Sequence, residues 1–248
     1  MDKVYELLKN EANKRNNNTE ISDQKPDPLL VATKYNDEYI SLICALFAYG
    51  NARLIVKFLE SLDYSLLDND EVTIEQALNK HYYRFQSSQD VIEFFKTMRL
   101  LKNSASIEEK FCEGYQKTNY IMDGLTSIIS YMYDLNPYRS RGYEFLIGKI
   151  PTCKNTSPYK RWNMYLRWMV RHDFLDLGLW NRVSTKDLLV PLDTHTFNVG
   201  KELGLITRKS YDFKSVLELT ESFKKIDSND PVKYDFAMYR IGQEKIIK

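Results

Sequence analysis

The scarcity of chain breakers constrains this sequence most. It holds 9 glycines and 7 prolines in 248 residues, where average usage gives about 17 and 12. A chain with so few tight-turn residues favours long helices over many short strands. Apolar spacing supports this. Helical periodicity runs through residues 2–14, 37–49, 54–62, 73–85, 88–101, 106–115 and 120–133, and again through 142–150, 159–171, 193–203, 212–226 and 230–246. No stretch keeps a period of two. Residues 19–30, with Pro26 and Pro28, read as an extended connector, and Pro158 as the first-turn proline of the 159–171 helix. The expected fold class is all-α.

Composition narrows the function classes. Apolar residues make up 43% and charged residues 28%, enough for a core and too apolar for disorder. Three cysteines, Cys44, Cys112 and Cys153, form no CxxC pair. A disulfide framework, a structural zinc site and a four-cysteine iron–sulfur cluster are therefore not expected, and a reducing cytoplasm is. The start of the chain has no apolar signal core, and no run approaches the roughly 18 apolar residues of a membrane span. No cofactor or metal is expected.

Net charge is +1, from 35 basic and 34 acidic residues, which does not announce a nucleic-acid binder. The charge is uneven, however. Residues 151–171 carry Lys154, Lys160, Arg161, Arg167 and Arg171 and no acid. The plain reading is a solvated basic face on a core helix; the functional one is a phosphate-binding face.

Two further segments draw notice. In Val190-Pro191-Leu192-Asp193-Thr194-His195 an acid stands where a helix begins, and an ordinary N-cap explains it as well as catalysis does. In Asp230–Tyr239, Asp235 interrupts an apolar helix and Tyr239 follows one turn later. Asp235 could equally be an exposed acid, and His195 a core or capping histidine.

The stretch VPLDTHTFNVGKELGL, residues 190–205, resembles the signature of the helix-hairpin-helix DNA glycosylase superfamily. The Tyr83-Arg84-Phe85 tripeptide, the Lys160–Met164 and Leu166–Arg171 runs and the Asp230–Ala237 run resemble a bacterial group within it, close to the archaeal 8-oxoguanine DNA glycosylases. The resemblance covers the chain from about residue 25 onward. It implies two helical lobes with a cleft between them. Residues 30–140 would form the first lobe, and 1–29 with 141–248 the second, which carries a lysine and an aspartate. It also implies a monomeric enzyme acting on double-stranded DNA that contains a damaged base, beside the bacterial chromosome, with no membrane partner.

Residue by residue, the resemblance makes Asp193 the catalytic carboxylate and Lys160 the nucleophile of a bifunctional 8-oxoguanine DNA glycosylase/AP lyase. The 33 residues from Lys160 to Asp193 leave room for an insertion at 172–189, as in the archaeal enzymes. A damaged base must be flipped out of the duplex to be reached. Met164, one turn beyond Lys160, and Tyr239, one turn beyond Asp235, are the expected walls of its pocket. Trp168 is a further contact, and Asp235 the acceptor for the base edge. Asn51 is the candidate for filling the gap in the duplex, and Lys154, Arg161, Arg167, Arg171 and Arg84 are candidates for DNA binding. The segment before Lys160, Thr152–Tyr159, lacks the glycines of the superfamily's usual phosphate-gripping hairpin. Three alternatives stay open: a monofunctional glycosylase for another damaged base, a non-catalytic DNA-binding protein of the same fold, and a helical interaction protein without affinity for DNA.

Overall fold

A computed structural model describes residues 1–17, 19–22, 24–152 and 157–244. Among these, the protein is all-helical: 13 α-helices and three short 3-10 turns, with no strand beyond isolated bridges. By packing the chain divides into two compact units, residues 26–152 and residues 1–25 with 153–248.

In chain order, the 26–152 unit holds α2 (Leu29–Tyr35), α3 (Glu38–Leu46), α4 (Ala52–Glu60), α5 (Glu71–Leu78), α6 (Ser88–Ser104), α7 (Ile107–Thr118), α8 (Ile121–Leu135) and α9 (Arg141–Ile147). Caps set the starts. Ser87 and Asp90 form a capping box on α6, and Asp37, Asn51, Asp70 and Ser106 cap α3, α4, α5 and α7. The core is built from Leu42, Ile43, Phe47, Phe94, Phe95, Met98, Phe111 and Leu125, all fully buried. Each such side chain contributes about 1.5–3 kcal/mol over leaving it in water. At Gly124 α8 comes so close to α7 that an added Cβ would lie 2.4 Å from the Phe111 ring.

Residues 141–152 pack in this unit, whereas the sequence reading grouped them with the C-terminal half. The reason is the polar joint under α9. Buried Asp90 accepts hydrogen bonds from Tyr138 and Ser140, Gln86 donates to the Gly142 carbonyl at 3.2 Å, and Thr97 pairs with the Tyr143 hydroxyl at 2.6 Å. Two other local expectations change. The connector at 19–30 gives way to a helix, α2, that opens directly after Pro28. The 73–85 helix stops at Leu78. Tyr83 and Gln86 then exchange backbone hydrogen bonds across a tight turn, with Arg84 at φ 56.

The other unit holds α1 (Asp2–Arg15), α10 (Lys160–Val170), α11 (Thr194–Glu202), α12 (Phe213–Lys224) and α13 (Asp235–Gln243). α1 lies along α13. Buried Arg15 ties them, bonding Glu11 at 2.9 Å on its own helix and Glu244 at 2.6 Å beyond the end of α13. Among the described residues no helix is long and apolar enough to cross a membrane.

Candidate active site

α10 begins at Lys160 because Tyr159 turns the chain. Tyr159 adopts the left-handed conformation, φ 47 and ψ 36, so Pro158 stands outside the helix instead of in its first turn. Asn163 closes the end, its amide donating to the Pro158 carbonyl at 3.1 Å. Lys160 is half-buried at the head of the helix, where unsatisfied N–H groups give positive potential. From Trp162 to Val170 every residue is buried. This helix therefore has no solvated face over that span.

That burial overturns the phosphate-binding assignment of Arg167 and Arg171. They are 5% and 8% exposed and committed to carboxylates. Arg167 Nη1 lies 2.6 Å from Asp235 Oδ2, and its Nε 3.1 Å from Asp176 Oδ1. Arg171 bonds Asp230 at 2.9 Å, Asp173 at 2.9 Å, and Asp176. Buried charges need such partners, because an unpaired one is costly. Burial pushes the Asp176 carboxyl upward, against the pull of both arginines. Two of the five basic side chains of 151–171, Arg167 and Arg171, are thus neutralised by Asp173, Asp176, Asp230 and Asp235. Asp173 and Asp176 stand just where the basic run ends in the sequence, and that alternation is the signal that could have revealed the network.

α11 begins at Asp193. The approach through Pro191 and Leu192 is buried, and the Tyr211 hydroxyl donates to the Leu192 carbonyl at 3.0 Å. Asp193 is extended, φ −112 and ψ 177, and its Oδ1 accepts the Thr196 N–H at 2.8 Å. It is an N-cap and half-buried, so one oxygen is engaged while the group remains reachable. Tyr211 had no signal in the sequence beyond its type.

α13 begins at Asp235, after a 3-10 turn opened by Pro231. Asp235 is 7% exposed, not an exposed acid. Its carboxyl is pushed up to about 6 by burial; Arg167 and Lys160 pull it down and Asp193 pushes it up. Asp235, the first residue of α13, thus pairs with the middle of α10 through Arg167 and feels the charges of Lys160 and Asp193. Among the described residues neither Asp193 nor Asp235 forms an ion pair with Lys160 within 4.0 Å. α11 packs on α13. His195 is exposed, its ring centroid 6.3 Å from that of half-buried Tyr239, and it packs against Gly242, where a Cβ would fall 2.4 Å from Nε2.

The remaining candidates separate. Met164 is 8% exposed, one turn after Lys160. Trp168 is fully buried, which removes it as a contact for a ligand entering from solvent and makes it core. Arg161 is half-buried in the first turn of α10. Lys154 lies outside the described residues. Asn51 and Arg84 belong to the 26–152 unit. Asn51 Oδ1 caps α4, accepting from Arg53 and Leu54 N–H at 3.0 and 3.3 Å. Exposed Arg84 covers the Tyr49 ring at 5.6 Å. It fills the space beside Gly50, which has φ +107 and where a Cβ would meet Arg84 Nη1.

The chain is all-helical, with a lysine and two carboxylates at the starts of three helices of one unit. Residues 27–244 match the family described as protein of unknown function (DUF2400), and the chain belongs to that family. No curated protein and no solved structure matches the chain.

Proposed function

We propose that the protein is a bifunctional 8-oxoguanine DNA glycosylase/AP lyase with the helix-hairpin-helix glycosylase fold. The observation that carries this is that Lys160 and Asp193 stand at the starts of α10 and α11, two helices that α13 joins by packing on α11 and by the Arg167–Asp235 pair to α10. Thirty-three positions apart in sequence, they fall in one unit of the structure. The sequence signature around Asp193 adds support.

In this reading the damaged nucleotide is flipped out, and its base lies between Met164 and Tyr239. The Lys160 amine attacks C1′ of the sugar and the glycosidic bond breaks. The Asp193 carboxylate stabilises positive charge developing on the sugar. The lysine then forms a Schiff base, and β-elimination nicks the strand. Exposed His195 borders the same place, and Arg161 and Arg84 are the remaining described candidates for phosphate contacts.

The test is borohydride trapping on a duplex carrying 8-oxoguanine. A covalent adduct is expected with the native protein and not with Lys160→Gln. Absence of both adduct and strand nicking with the native protein overturns the proposal.

A further inference from the structure

Asp235 is placed for more than reading a base edge. Arg167 stands two turns after Lys160 on α10, and side chains lean toward the start of their helix. Its guanidinium holds Asp235 Oδ2 at 2.6 Å, which sets the carboxylate beside the α10 face that carries Lys160 and Met164. The charged groups facing Asp235 are Arg167 and Lys160 from α10 and Asp193 from the head of α11. Asp193 already spends one oxygen on its helix cap.

We propose that Asp235 is the proton carrier of the reaction: it takes a proton from the Lys160 ammonium and delivers it to the departing base. This rests on the glycosylase reading above. As the Lys160 nitrogen bonds C1′, one ammonium proton passes to the Asp235 carboxylate through one water, which spans the two groups where they are not in direct contact. The electron pair of the C1′–base bond leaves with the base, and the Asp235 carboxylic acid protonates it. The carboxylate is regenerated, and the lysine nitrogen, now bonded to C1′, keeps the positive charge. Schiff-base formation at an abasic site needs the same carrier, because expelling water from the carbinolamine consumes a proton. An acid–base group works best when its pKa lies near the working pH, and burial has pushed this carboxyl up to about 6. Arg167 is the positioning residue that fixes where the carboxylate points.

Single-turnover borohydride trapping, run from pH 5 to 8 on two duplexes, tests this. One duplex carries 8-oxoguanine and the other an abasic site with no base to read. With the native protein the trapping rate is expected to fall below about pH 6, where the Asp235 carboxylate becomes protonated. Asp235→Asn is expected to slow trapping about 100-fold on both duplexes and to abolish that acidic limb. Asp235→Glu keeps a carboxyl, and is expected to retain the limb; it carries the test if the Asn variant does not fold. Slowing by Asp235→Asn on the 8-oxoguanine duplex alone makes Asp235 a base contact and overturns the inference. An unchanged rate or an unchanged limb overturns it too. If the native protein gives no adduct on either duplex, the glycosylase reading falls, and the carrier role with it.

Discussion

Arg167 and Asp235 form a buried ion pair, Nη1 to Oδ2 2.6 Å, that joins the middle of α10 to the first residue of α13. The same guanidinium reaches Asp176, whose side chain is wholly buried, and Asp176 reaches Arg171. The pair is one link in a chain of charges between helices that are far apart in sequence.

Breaking that link by removing one partner is expected to be expensive. Arg167→Leu leaves Asp176 without one of its two arginines and Asp235 without its hydrogen-bonded counter-ion. The expected loss is about 3–5 kcal/mol of folding stability, read as a shift of the urea midpoint at constant slope. A loss under about 1 kcal/mol, the value of an exposed pair, would show that the arginine is solvated and free to contact phosphate.

The raised Asp235 carboxyl also sets a pH dependence. Its ordinary value is 3.8 and its folded value about 6, so between these the folded chain binds more protons at this site than the unfolded chain. Stability then falls as pH rises through that window and levels off above it. Asn at this position does not titrate. Urea unfolding of the native protein and Asp235→Asn, compared at pH 4, 5, 6 and 7, isolates the group. The native protein is expected to lose stability relative to the variant from about pH 4 to about 6 and to change little beyond. A constant difference across the series would contradict the burial effect.

Much of the fold is legible in the sequence because helix periodicity and capping are local signals. Asp193, Asp212 and Ser106 stand at the starts of helices read from the sequence, and α6 is legible to within a few residues at its end. The misread stretches are those where local and long-range forces differ. Pro26 and Pro28 look like breakers, but Pro28 only marks where α2 starts. At the site, Lys160 and Asp193 are legible through their motif. The fate of Arg167 and Arg171 is legible only in part: Asp173 and Asp176 follow the basic run directly, but Asp230 and Asp235 come from a segment about 60 residues away, as the 59- and 68-residue separations of the two contacts show. Counting charge along one segment cannot register acids that folding brings to it.

The cap at Asp193 and its proposed catalytic charge can be separated by substitution. Asn caps a helix nearly as well as Asp, whereas Ala does not. Asp193→Asn is expected to keep stability within a few tenths of a kcal/mol, and Asp193→Ala to lose about 1 kcal/mol. Both are expected to lose base release alike, because neither carries a negative charge. Thermal melts and a base-release assay on the 8-oxoguanine duplex read the two effects. Base release retained by the Asn variant would reduce Asp193 to a cap.

Salt dependence distinguishes arginines that meet DNA from those that hold the fold. Each phosphate contact releases counterions, so log K falls with log salt by about 0.9 per contact. Arg84 is exposed and lies over Tyr49, while Arg171 is buried among Asp173, Asp176 and Asp230. Arg84→Gln is expected to weaken duplex binding across sequences and to lower the slope by about one. Arg171→Gln is expected to reduce stability and, at temperatures where the variant stays folded, to leave the slope unchanged. Fluorescence anisotropy with a labelled duplex between 50 and 200 mM salt, roughly the range over which such contacts are lost, measures both. A slope that drops with Arg171→Gln and not with Arg84→Gln would reverse the assignment, placing the α10 arginine on DNA and the Arg84 turn in a purely structural role.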